Sequence, residues 1–335
     1  MFNLELDKVV QEVNRRKARR VLVQIPYGLR REAFQIADNI KKKTLAEVVI
    51  SANPCHGACD LATNEAEQID ADLILHMGHA APPGSDKSNI LFIETRASVD
   101  TAPIVGDAIR LLEKERRIGL MATVQHIQAL DETKRILESS GKIVMLPRKS
   151  GKISYDGQIL GCDFEGARVL ADQVDAFLVI SGGNFHGLGI QISTGKRTLV
   201  CDPFSKEVRD MSDLARKFLM RRYAAIDAFK RANKVGVLIV TKNGQLNLKN
   251  AFKIKEVLEK RGHTPLLLSV NEIQPMILES FSDMEAFVNT GCPRVALDDQ
   301  DMYSKPVLTY DEALIAADVI PWEEYVKENS TSKRA

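Results

Sequence analysis

The feature of this sequence that most constrains its fold is a series of a strand, a helix and a second strand that occurs three times. In the first series, strands are predicted at residues 20–26, 47–51 and 71–76, with a helix at residues 32–40. Strands that are apolar on both faces and alternate with segments of helical periodicity are typical of parallel sheets covered by helices. The sequence therefore predicts an α/β protein with parallel sheets.

The same order of elements begins again twice along the chain. The second series has predicted strands at residues 117–123, 142–146 and 174–180 and a helix at 127–140, and the third has strands at 234–241, 264–270 and 286–289 and a helix at 248–261. A repeat of this size indicates a repeated domain and not a solenoid. We predict three similar domains of the βαβ type, at residues 1–108, 109–228 and 229–335.

A long charged helix is predicted between the second and third series, at residues 213–234. Its basic side chains are expected to form a solvated face of the helix, because charged residues of an amphipathic helix ordinarily face water. These residues are Arg216, Lys217, Arg221 and Arg222.

Composition excludes several kinds of partner. The chain has 46 lysine and arginine residues against 45 aspartate and glutamate residues, for a net charge of +1, so it carries no global field that would hold nucleic acid or an anionic membrane. No apolar run approaches the roughly 18 to 20 residues that span a bilayer. The 5 cysteines are odd in number and scattered, which favours a reducing compartment. We expect a cytoplasmic protein with no membrane partner and no direct nucleic-acid partner.

One cysteine in each third of the chain follows a glycine or a small residue in a predicted loop. These cysteines are Cys59, Cys162 and Cys292. Small neighbours expose a sulfur atom and allow a metal cluster to approach the backbone, although each cysteine taken alone could equally be a small buried side chain. Ligands of zinc fingers come in closely spaced pairs, unlike these three. A 4Fe-4S cluster ordinarily takes four protein ligands, so three thiolates would leave one iron open to a substrate.

Several short motifs together resemble a known family. They are Gly-Ala-Cys-Asp ending at Asp60, Gly-Cys-Asp ending at Asp163, Gly-Cys-Pro-Arg ending at Arg294, Ile-Pro-Tyr-Gly-Leu-Arg ending at Arg30, His76-Met-Gly-His79 and Gly183-Asn-Phe-His186. Together they resemble the archaeal family of noncanonical radical S-adenosylmethionine enzymes that carries out the first step of diphthamide biosynthesis. The resemblance covers nearly the whole chain, about residues 3–328, and the order of the three cysteine motifs is specific to it.

The resemblance implies a fold, an activity and partners. Members of that family are homodimers of three similar domains, whose single cysteines converge on a 4Fe-4S cluster at a central site. They transfer the 3-amino-3-carboxypropyl group of S-adenosylmethionine to a histidine of translation elongation factor 2 by a radical mechanism and release 5′-methylthioadenosine. An external electron donor is implied as well. Carried over by motif, the cluster ligands are Cys59, Cys162 and Cys292.

Five further residues are candidates for binding S-adenosylmethionine. Arg294, two residues after Cys292, is predicted to clamp the methionine carboxylate, because a guanidinium can bind a carboxylate through two parallel hydrogen bonds. Gln245, which follows the first strand of the third series, is predicted to hold the same end of the substrate or the ribose. Arg30 is either part of the basic wall of the site or a residue of a surface ion pair. His79 and His186 either face the cleft or stabilise turns.

The sequence leaves alternatives open. Cys55 is interpreted as a loop residue that is not a cluster ligand, and Cys201 as a thiol of the core. A quinolinate-synthase-like dehydratase or condensing enzyme would also combine three related α/β domains with an open iron that acts as a Lewis acid. A third possibility is a non-catalytic subunit that transfers electrons or supports a catalytic relative.

Overall fold

The protein was analysed as a computed structural model, which describes residues 2–85, 88–242 and 244–322. The described chain forms two compact units. The first contains the chain up to Ile159 together with Leu178–Gly182 and Cys201–Val208, and the second contains Leu160–Phe177, Gly183–Val200 and the chain from Arg209 onward. These units do not coincide with the three predicted domains, whose boundaries stay predictions.

Three sheets follow one another along the chain. The first has the order β2-β1-β3-β4, the second β6-β5-β7-β8-β9 and the third β11-β10-β12-β13. Their strands are β1 (Arg20–Gln24), β2 (Glu47–Ile50), β3 (Leu73–Met77), β4 (Ile90–Ile93), β5 (Arg117–Ala122), β6 (Ile143–Met145), β7 (Ala176–Ile180), β8 (Arg197–Asp202), β9 (Glu207–Asp210), β10 (Lys234–Val240), β11 (Thr264–Val270), β12 (Ala286–Asn289) and β13 (Val307–Thr309).

Helices connect the strands and cover the sheets. They are α1 (Leu6–Arg15), α2 (Ala33–Lys43), α3 (Thr63–Gln68), α4 (Ala102–Leu111), α5 (Leu130–Ser139), α6 (Glu165–Leu170), α7 (Phe185–Thr194), α8 (Ser212–Lys230), α9 (Leu248–Lys260), α10 (Pro275–Ser280), α11 (Pro293–Asp298) and α12 (Tyr310–Ala316). In the part of the chain that the structure covers, none of these helices has both the length and the apolar character needed to cross a membrane.

The strands of the first and third sheets pair in parallel, as the sequence predicts. In the first sheet β1 lies between β2 and β3, and in the third β10 lies between β11 and β12, all in parallel register. Both central strands are almost entirely buried, which explains why their sequences are continuous apolar runs. The prediction of an α/β fold with parallel sheets is confirmed. Parallel register also brings the carboxyl ends of neighbouring strands to one edge of each sheet, where loops carry functional residues.

The prediction of a solvated basic face on the long helix is wrong for Arg222, which lies on α8 and is 1% exposed. Its Nε and Nη2 atoms donate to the two carboxylate oxygens of Glu312 at 2.8 and 2.6 Å. It also donates to the carbonyls of Ala296 and Val307 and to Oε1 of Gln300. Because every one of these acceptors is distant in sequence, the buried charge is satisfied only by tertiary structure.

A buried histidine makes the stability of the first unit depend on pH. Burial lowers the pKa of His126 from 6.5 to about 4, in spite of the opposing charge of Asp202. Between about pH 6.5 and pH 4, His126 is therefore mostly protonated in the unfolded chain and mostly neutral in the folded chain. We expect the free energy of unfolding to fall as the pH is lowered through this range, by up to about 1.4 kcal/mol per pH unit from this residue.

Urea unfolding at several pH values, with wild type and a His126→Gln variant, measures this contribution. The variant lacks the titrating group, so its free energy of unfolding should fall less steeply with decreasing pH. Identical slopes for the two proteins would show that His126 does not contribute.

Candidate functional site

Cys162 lies at the exposed tip of a tight turn in the second unit. Leu160 and Asp163 form an isolated antiparallel bridge on either side of it. Oδ1 of Asp163 accepts a hydrogen bond from the backbone N–H of Glu165 at 3.0 Å, which connects the turn to the first residue of α6. The turn therefore presents the sulfur atom outward from a fixed backbone.

Cys292 lies in a loop directly after β12, also in the second unit. The side chain of Asn289 crosses this loop, because its Nδ2 donates to the carbonyl of Cys292 at 2.6 Å and its Oδ1 accepts from the N–H of Gly291 at 2.8 Å. A Cβ atom at Gly291 would lie 2.5 Å from Cγ2 of Val240, so glycine is required by this close approach. Cys292 is half-buried and precedes α11.

Arg294, on α11, brings these two cysteine loops together. Its guanidinium lies over the ring of Phe185, 3.8 Å from the centroid. A Cβ atom at Gly161 would lie 2.6 Å from Cε1 of Phe185 and 3.3 Å from Cδ of Arg294. The turn that carries Cys162 therefore packs against both side chains, which is possible because residue 161 has no side chain. Arg294 is adjacent to both candidate ligands of this unit.

His186, the residue after Phe185, lies in the same region. Burial lowers the pKa of its imidazole from 6.5 to about 3, and the positive charge of Arg294 lowers it further in the same direction. The ring is therefore neutral at physiological pH. Among the residues that the structure describes, Nδ1 of His186 and Oδ1 of Asn184 are buried without a hydrogen-bond partner. A buried polar atom without a hydrogen bond lowers the stability of the folded protein. Both atoms are therefore suited to form a hydrogen bond with a bound ligand.

Cys59 lies in the first unit, at an exposed position of the loop between β2 and α3. The loop turns sharply, because the N–H of Asp60 donates to the carbonyl of Gly57 at 2.9 Å. The carboxylate of Asp60 accepts from the N–H of His56 at 3.2 Å, and the Asp60 carbonyl accepts from Nε2 of Gln24 at 2.7 Å. This sulfur atom too is exposed by a loop with a defined conformation.

Arg30 supports the same loop. Its Nη2 atom donates to the carbonyls of Ala52 and Asn53 at 2.9 and 3.0 Å. The guanidinium also lies 4.1 Å from the centroid of the Tyr27 ring. The arginine therefore connects the segment after β1 with the cysteine loop, and a role in the wall of a binding site stays a prediction.

His79 lies beside His76 and Cys55, and the potential ligand atoms of the three residues are within 4.8 Å of one another. It belongs to the first unit and His186 to the second. Gln245 is half-buried in a turn between β10 and α9, where its N–H donates to the carbonyl of Lys242 at 3.1 Å. Their roles toward S-adenosylmethionine stay predictions.

Burial separates the five cysteines. Cys55 and Cys201 are buried, whereas Cys59 and Cys162 are exposed and Cys292 is half-buried. Burial raises the pKa of Cys201 to about 12, and the negative charge of Asp107 adds to this effect. Because the thiolate is the form that binds a metal, the Cys201 thiol is a poor ligand. The interpretation of Cys201 as a thiol of the core agrees with this position.

Sequence reasoning missed the roles of Gln24 and Phe185, and the grouping of Cys55 with His76 and His79. Gln24 and His76 are the polar residues at the ends of the buried strands β1 and β3, where they stand opposite one another in register. A polar side chain within an apolar strand was the available signal, since such a group needs a buried partner. Phe185 carried no comparable signal.

Comparison with known proteins identifies relatives along nearly the whole chain. A family described as "Putative diphthamide synthesis protein" matches residues 25–326. The 2-(3-amino-3-carboxypropyl)histidine synthase of Pyrococcus horikoshii is 36% identical over 94% of this chain and 90% of its own length. The enzyme of the same name from Methanocaldococcus jannaschii is 28% identical over 93% of this chain and 89% of its own.

Solved structures agree with the sequence matches. The crystal structure of Dph2 from Pyrococcus horikoshii with a 4Fe-4S cluster has a TM-score of 0.86 and 32% sequence identity, and the match covers 100% of this chain and 97% of that one. A second structure of that protein has a TM-score of 0.85 and 34% identity over 96% of this chain and 92% of the other. The resemblance of the motifs is thus confirmed along the whole fold, and the chain belongs to the diphthamide synthesis protein family.

Proposed function

We infer that this protein is a 2-(3-amino-3-carboxypropyl)histidine synthase. It is a transferase that moves the 3-amino-3-carboxypropyl group of S-adenosylmethionine to a histidine of translation elongation factor 2, which is the first step of diphthamide biosynthesis. The observation that carries this conclusion is the match to the Pyrococcus horikoshii enzyme, at 36% identity over 94% of the chain. The fold agrees with that of the relative whose structure contains a 4Fe-4S cluster, at a TM-score of 0.86.

The donor set fits an iron–sulfur cluster. Cys59, Cys162 and Cys292 are the cysteines that are exposed or half-buried, and each lies in a loop whose backbone conformation is held by hydrogen bonds. Thiolate sulfur is the ligand that iron–sulfur clusters require. We propose these three residues as the ligands. When bound, a cluster with one open iron supplies the electron that cleaves a carbon–sulfur bond of S-adenosylmethionine.

The side chains around Cys162 and Cys292 would orient the substrate. Arg294 offers a cationic fork whose plane is fixed by the Phe185 ring at 3.8 Å. We assign it to the methionine carboxylate, since a planar guanidinium binds a carboxylate bidentately. The neutral His186 and the amide oxygen of Asn184 can exchange hydrogen bonds with the polar groups of the same molecule. The orientation of S-adenosylmethionine decides which of its carbon–sulfur bonds breaks. Breakage on the side of the amino acid releases 5′-methylthioadenosine.

Loss of the Arg294 side chain is expected to weaken substrate binding. A hydrogen bond from a charged donor to a carboxylate contributes roughly 1.5 to 3 kcal/mol, so Arg294→Ala should lower affinity or rate about 10- to 100-fold. Arg294→Lys keeps the charge but loses the planar fork, so its affinity and rate should lie between those of the wild type and those of Arg294→Ala. The measurements are S-adenosylmethionine binding and 5′-methylthioadenosine formation at equal iron content. Wild-type values for Arg294→Ala would remove it from the site, and loss of iron would indicate a structural role.

The wider assignment includes partners. We propose a homodimer that works in the cytoplasm with an external electron donor and with translation elongation factor 2 as its protein substrate.

The relatives from Pyrococcus horikoshii and Methanocaldococcus jannaschii are named as the synthase itself, whereas the relative from Schizosaccharomyces pombe, 27% identical over 96% of this chain, is named as subunit 1. This naming favours a catalytic chain over a supporting subunit. Family membership also favours the transferase over a quinolinate-synthase-like enzyme.

The decisive experiment is anaerobic. Protein reconstituted with iron and sulfide, then reduced with dithionite in the presence of S-adenosylmethionine, should release 5′-methylthioadenosine. Addition of elongation factor 2 should yield the modified histidine, detected by mass spectrometry. Failure to release 5′-methylthioadenosine from a protein with full iron content would contradict the proposal. Light scattering under the same conditions tests the dimer, because a 37.2 kDa particle alone would exclude it.

A further inference from the structure

A second cluster of metal-ligating side chains lies in the first unit and is distinct from the three cysteines proposed to hold the iron–sulfur cluster. Cys55, His76 and His79 bring one sulfur and two imidazole nitrogens to within 4.8 Å of one another. We propose that these three side chains form a binding site for a divalent transition metal ion, for which Zn²⁺ has the best-matched chemistry. This proposal does not depend on the transferase activity.

The hydrogen bonds of Gln24 determine the tautomer of His76. Nε2 of Gln24 donates to the carbonyl of Asp60 at 2.7 Å, and Oε1 accepts from the N–H of Ala62 at 3.2 Å, so the direction of the amide is known. Oε1 also lies 2.8 Å from Nδ1 of His76, which must therefore carry the proton. The lone pair of His76 is then on Nε2. An imidazole whose second nitrogen donates to an oxygen is the usual arrangement of histidine ligands of metals.

The lone pair of His76 points toward the other candidate ligands. Nε2 lies 2.9 Å from Nδ1 of His79. Two nitrogens bound to Zn²⁺ at the usual lengths, with a tetrahedral angle between them, are about 3.3 Å apart, and a nitrogen and a thiolate sulfur about 3.6 Å. The site therefore has to open by about 0.4 Å at the histidine pair to accept the ion. Nδ1 of His79 donates to the His76 lone pair in this structure, so the His79 proton has to move to Nε2 before Nδ1 can bind the ion. The sulfur of Cys55, which lies within 4.8 Å of both nitrogens, has to take up the separation of about 3.6 Å.

The loop that carries Cys55 is already ordered by contacts on both sides. Before the cysteine, Oε2 of Glu65 accepts from Oγ of Ser51 at 2.7 Å and from Nδ2 of Asn53 at 3.0 Å. After it, the carboxylate of Asp60 accepts from the N–H of His56 at 3.2 Å. Ordered ligands lose little conformational entropy when the ion binds. The same loop carries Cys59, so a metal ion here would fix that cysteine relative to the end of β3.

The donor set defines the kind of ion. One thiolate and two neutral imidazoles are ligands of Zn²⁺, and soft sulfur disfavours Mg²⁺ and Ca²⁺. His76 presents an unprotonated Nε2 to the ion, because its Nδ1 donates to Oε1 of Gln24 at 2.8 Å. Three protein ligands leave the fourth tetrahedral position for water or another group. The competing explanation is a hydrogen-bonded histidine pair that packs on Phe92, whose ring centroid lies 5.0 Å from that of His76.

Cobalt binding separates these explanations. A background variant with Cys59, Cys162 and Cys292 all replaced by alanine lacks the other candidate thiols. Titrated anaerobically with Co²⁺, it should bind one ion per chain, with a thiolate-to-cobalt charge-transfer band in the near ultraviolet and tetrahedral bands in the visible range. Added Zn²⁺ should displace the cobalt. Absence of the charge-transfer band from a folded background variant would overturn the proposal.

Matched variants on this background identify the ligands. Cys55→Ser should abolish the charge-transfer band, and His79→Gln should weaken binding by more than the about 10- to 100-fold that loss of an outer hydrogen-bond partner costs. Cys201→Ser is the control, because it removes a buried thiol outside the cluster and should leave the band unchanged. A band that survives in Cys55→Ser would contradict the assignment.

A second measurement keeps the test decisive should the background variant fail to fold. Elemental analysis of the otherwise unaltered protein, supplied with Zn²⁺ and dialysed, should give one zinc per chain in addition to its iron. Cys55→Ser should lose that zinc, whereas Cys201→Ser should retain it. Equal zinc content in Cys55→Ser and in the wild type would show that the bound zinc is elsewhere, and absence of zinc from the wild type would refute the site.

Discussion

Cys162→Ala is expected to lose the iron–sulfur cluster and all production of 5′-methylthioadenosine. The sulfur atom of Cys162 is exposed at the tip of a turn that packs against Phe185 and Arg294, so no other thiol of the chain can take its place without rebuilding that turn. Two remaining protein ligands would leave two of the four irons without protein, a state that a 4Fe-4S cluster does not ordinarily tolerate. The measurements are iron and sulfide content after anaerobic reconstitution, together with the activity.

Cys201→Ala is the matched control for this experiment. Its thiol is buried in the first unit, with a pKa raised to about 12, and lies 3.8 Å from the carbonyl of Ile104. Removal of this sulfur should leave both iron content and activity near the wild-type values. The assignment of ligands is wrong if Cys162→Ala keeps its iron, or if Cys201→Ala loses it.

Arg222→Met is expected to destabilise the second unit by about 3 to 5 kcal/mol, because it leaves the carboxylate of Glu312 buried without its cation. Both residues of this pair are at most 1% exposed. Arg222 also binds the carbonyl of Ala296 on α11, the helix that follows Cys292. We therefore expect iron to be lost on heating at a lower temperature than in the wild type. Urea unfolding at pH 7 measures the change in free energy.

The neighbouring residue provides a control with the same chemistry at the surface. Arg221 forms an ion pair with Asp301 at 3.0 Å, but the two side chains are 60% and 76% exposed. Arg221→Met should change stability by less than about 1 kcal/mol, because water and salt screen an exposed pair. The double variant Arg222→Met/Glu312→Gln should recover part of the loss, since it removes the uncompensated charge. Equal effects of Arg221→Met and Arg222→Met would refute this account.

Local sequence predicted the first three strands of each sheet and, among the helices that the structure describes, α2, α5, α8 and α9. The predicted strand at residues 264–270 coincides with β11, and the predicted helix at 248–261 with α9, which ends one residue earlier. Long apolar or periodic runs bounded by glycine and charged residues were sufficient there. The strands β4, β8, β9 and β13 were not predicted, and three of them, β4, β9 and β13, are only three or four residues long. Such short segments become strands only by pairing with distant neighbours, which local sequence does not record.

The residues of the candidate site were predicted from local motifs, but their contacts were not. The motifs identified Cys59, Cys162 and Cys292, which the structure shows to be exposed or half-buried loop residues, whereas Cys55 and Cys201 are buried. What the sequence could not provide was the set of contacts across the fold. The position of Arg294 over Phe185 joins residues more than 100 positions apart, and the partner of Arg222 is 90 residues away. Such contacts depend on how the elements pack, and pattern analysis of single segments does not reach them.

The unequal exposure of the five thiols has a chemical consequence for the protein when it lacks a cluster. Reaction with oxidants and alkylating reagents requires an accessible thiolate, so Cys59 and Cys162 will react first and Cys201 last. Metal-bound sulfur is shielded from the same reagents. An iron–sulfur cluster would therefore protect the cysteines that hold it, and a chain that has lost its cluster in air would be oxidised at the positions required to rebuild it. Alkylation followed by mass spectrometry would then count the filled and empty chains in a preparation.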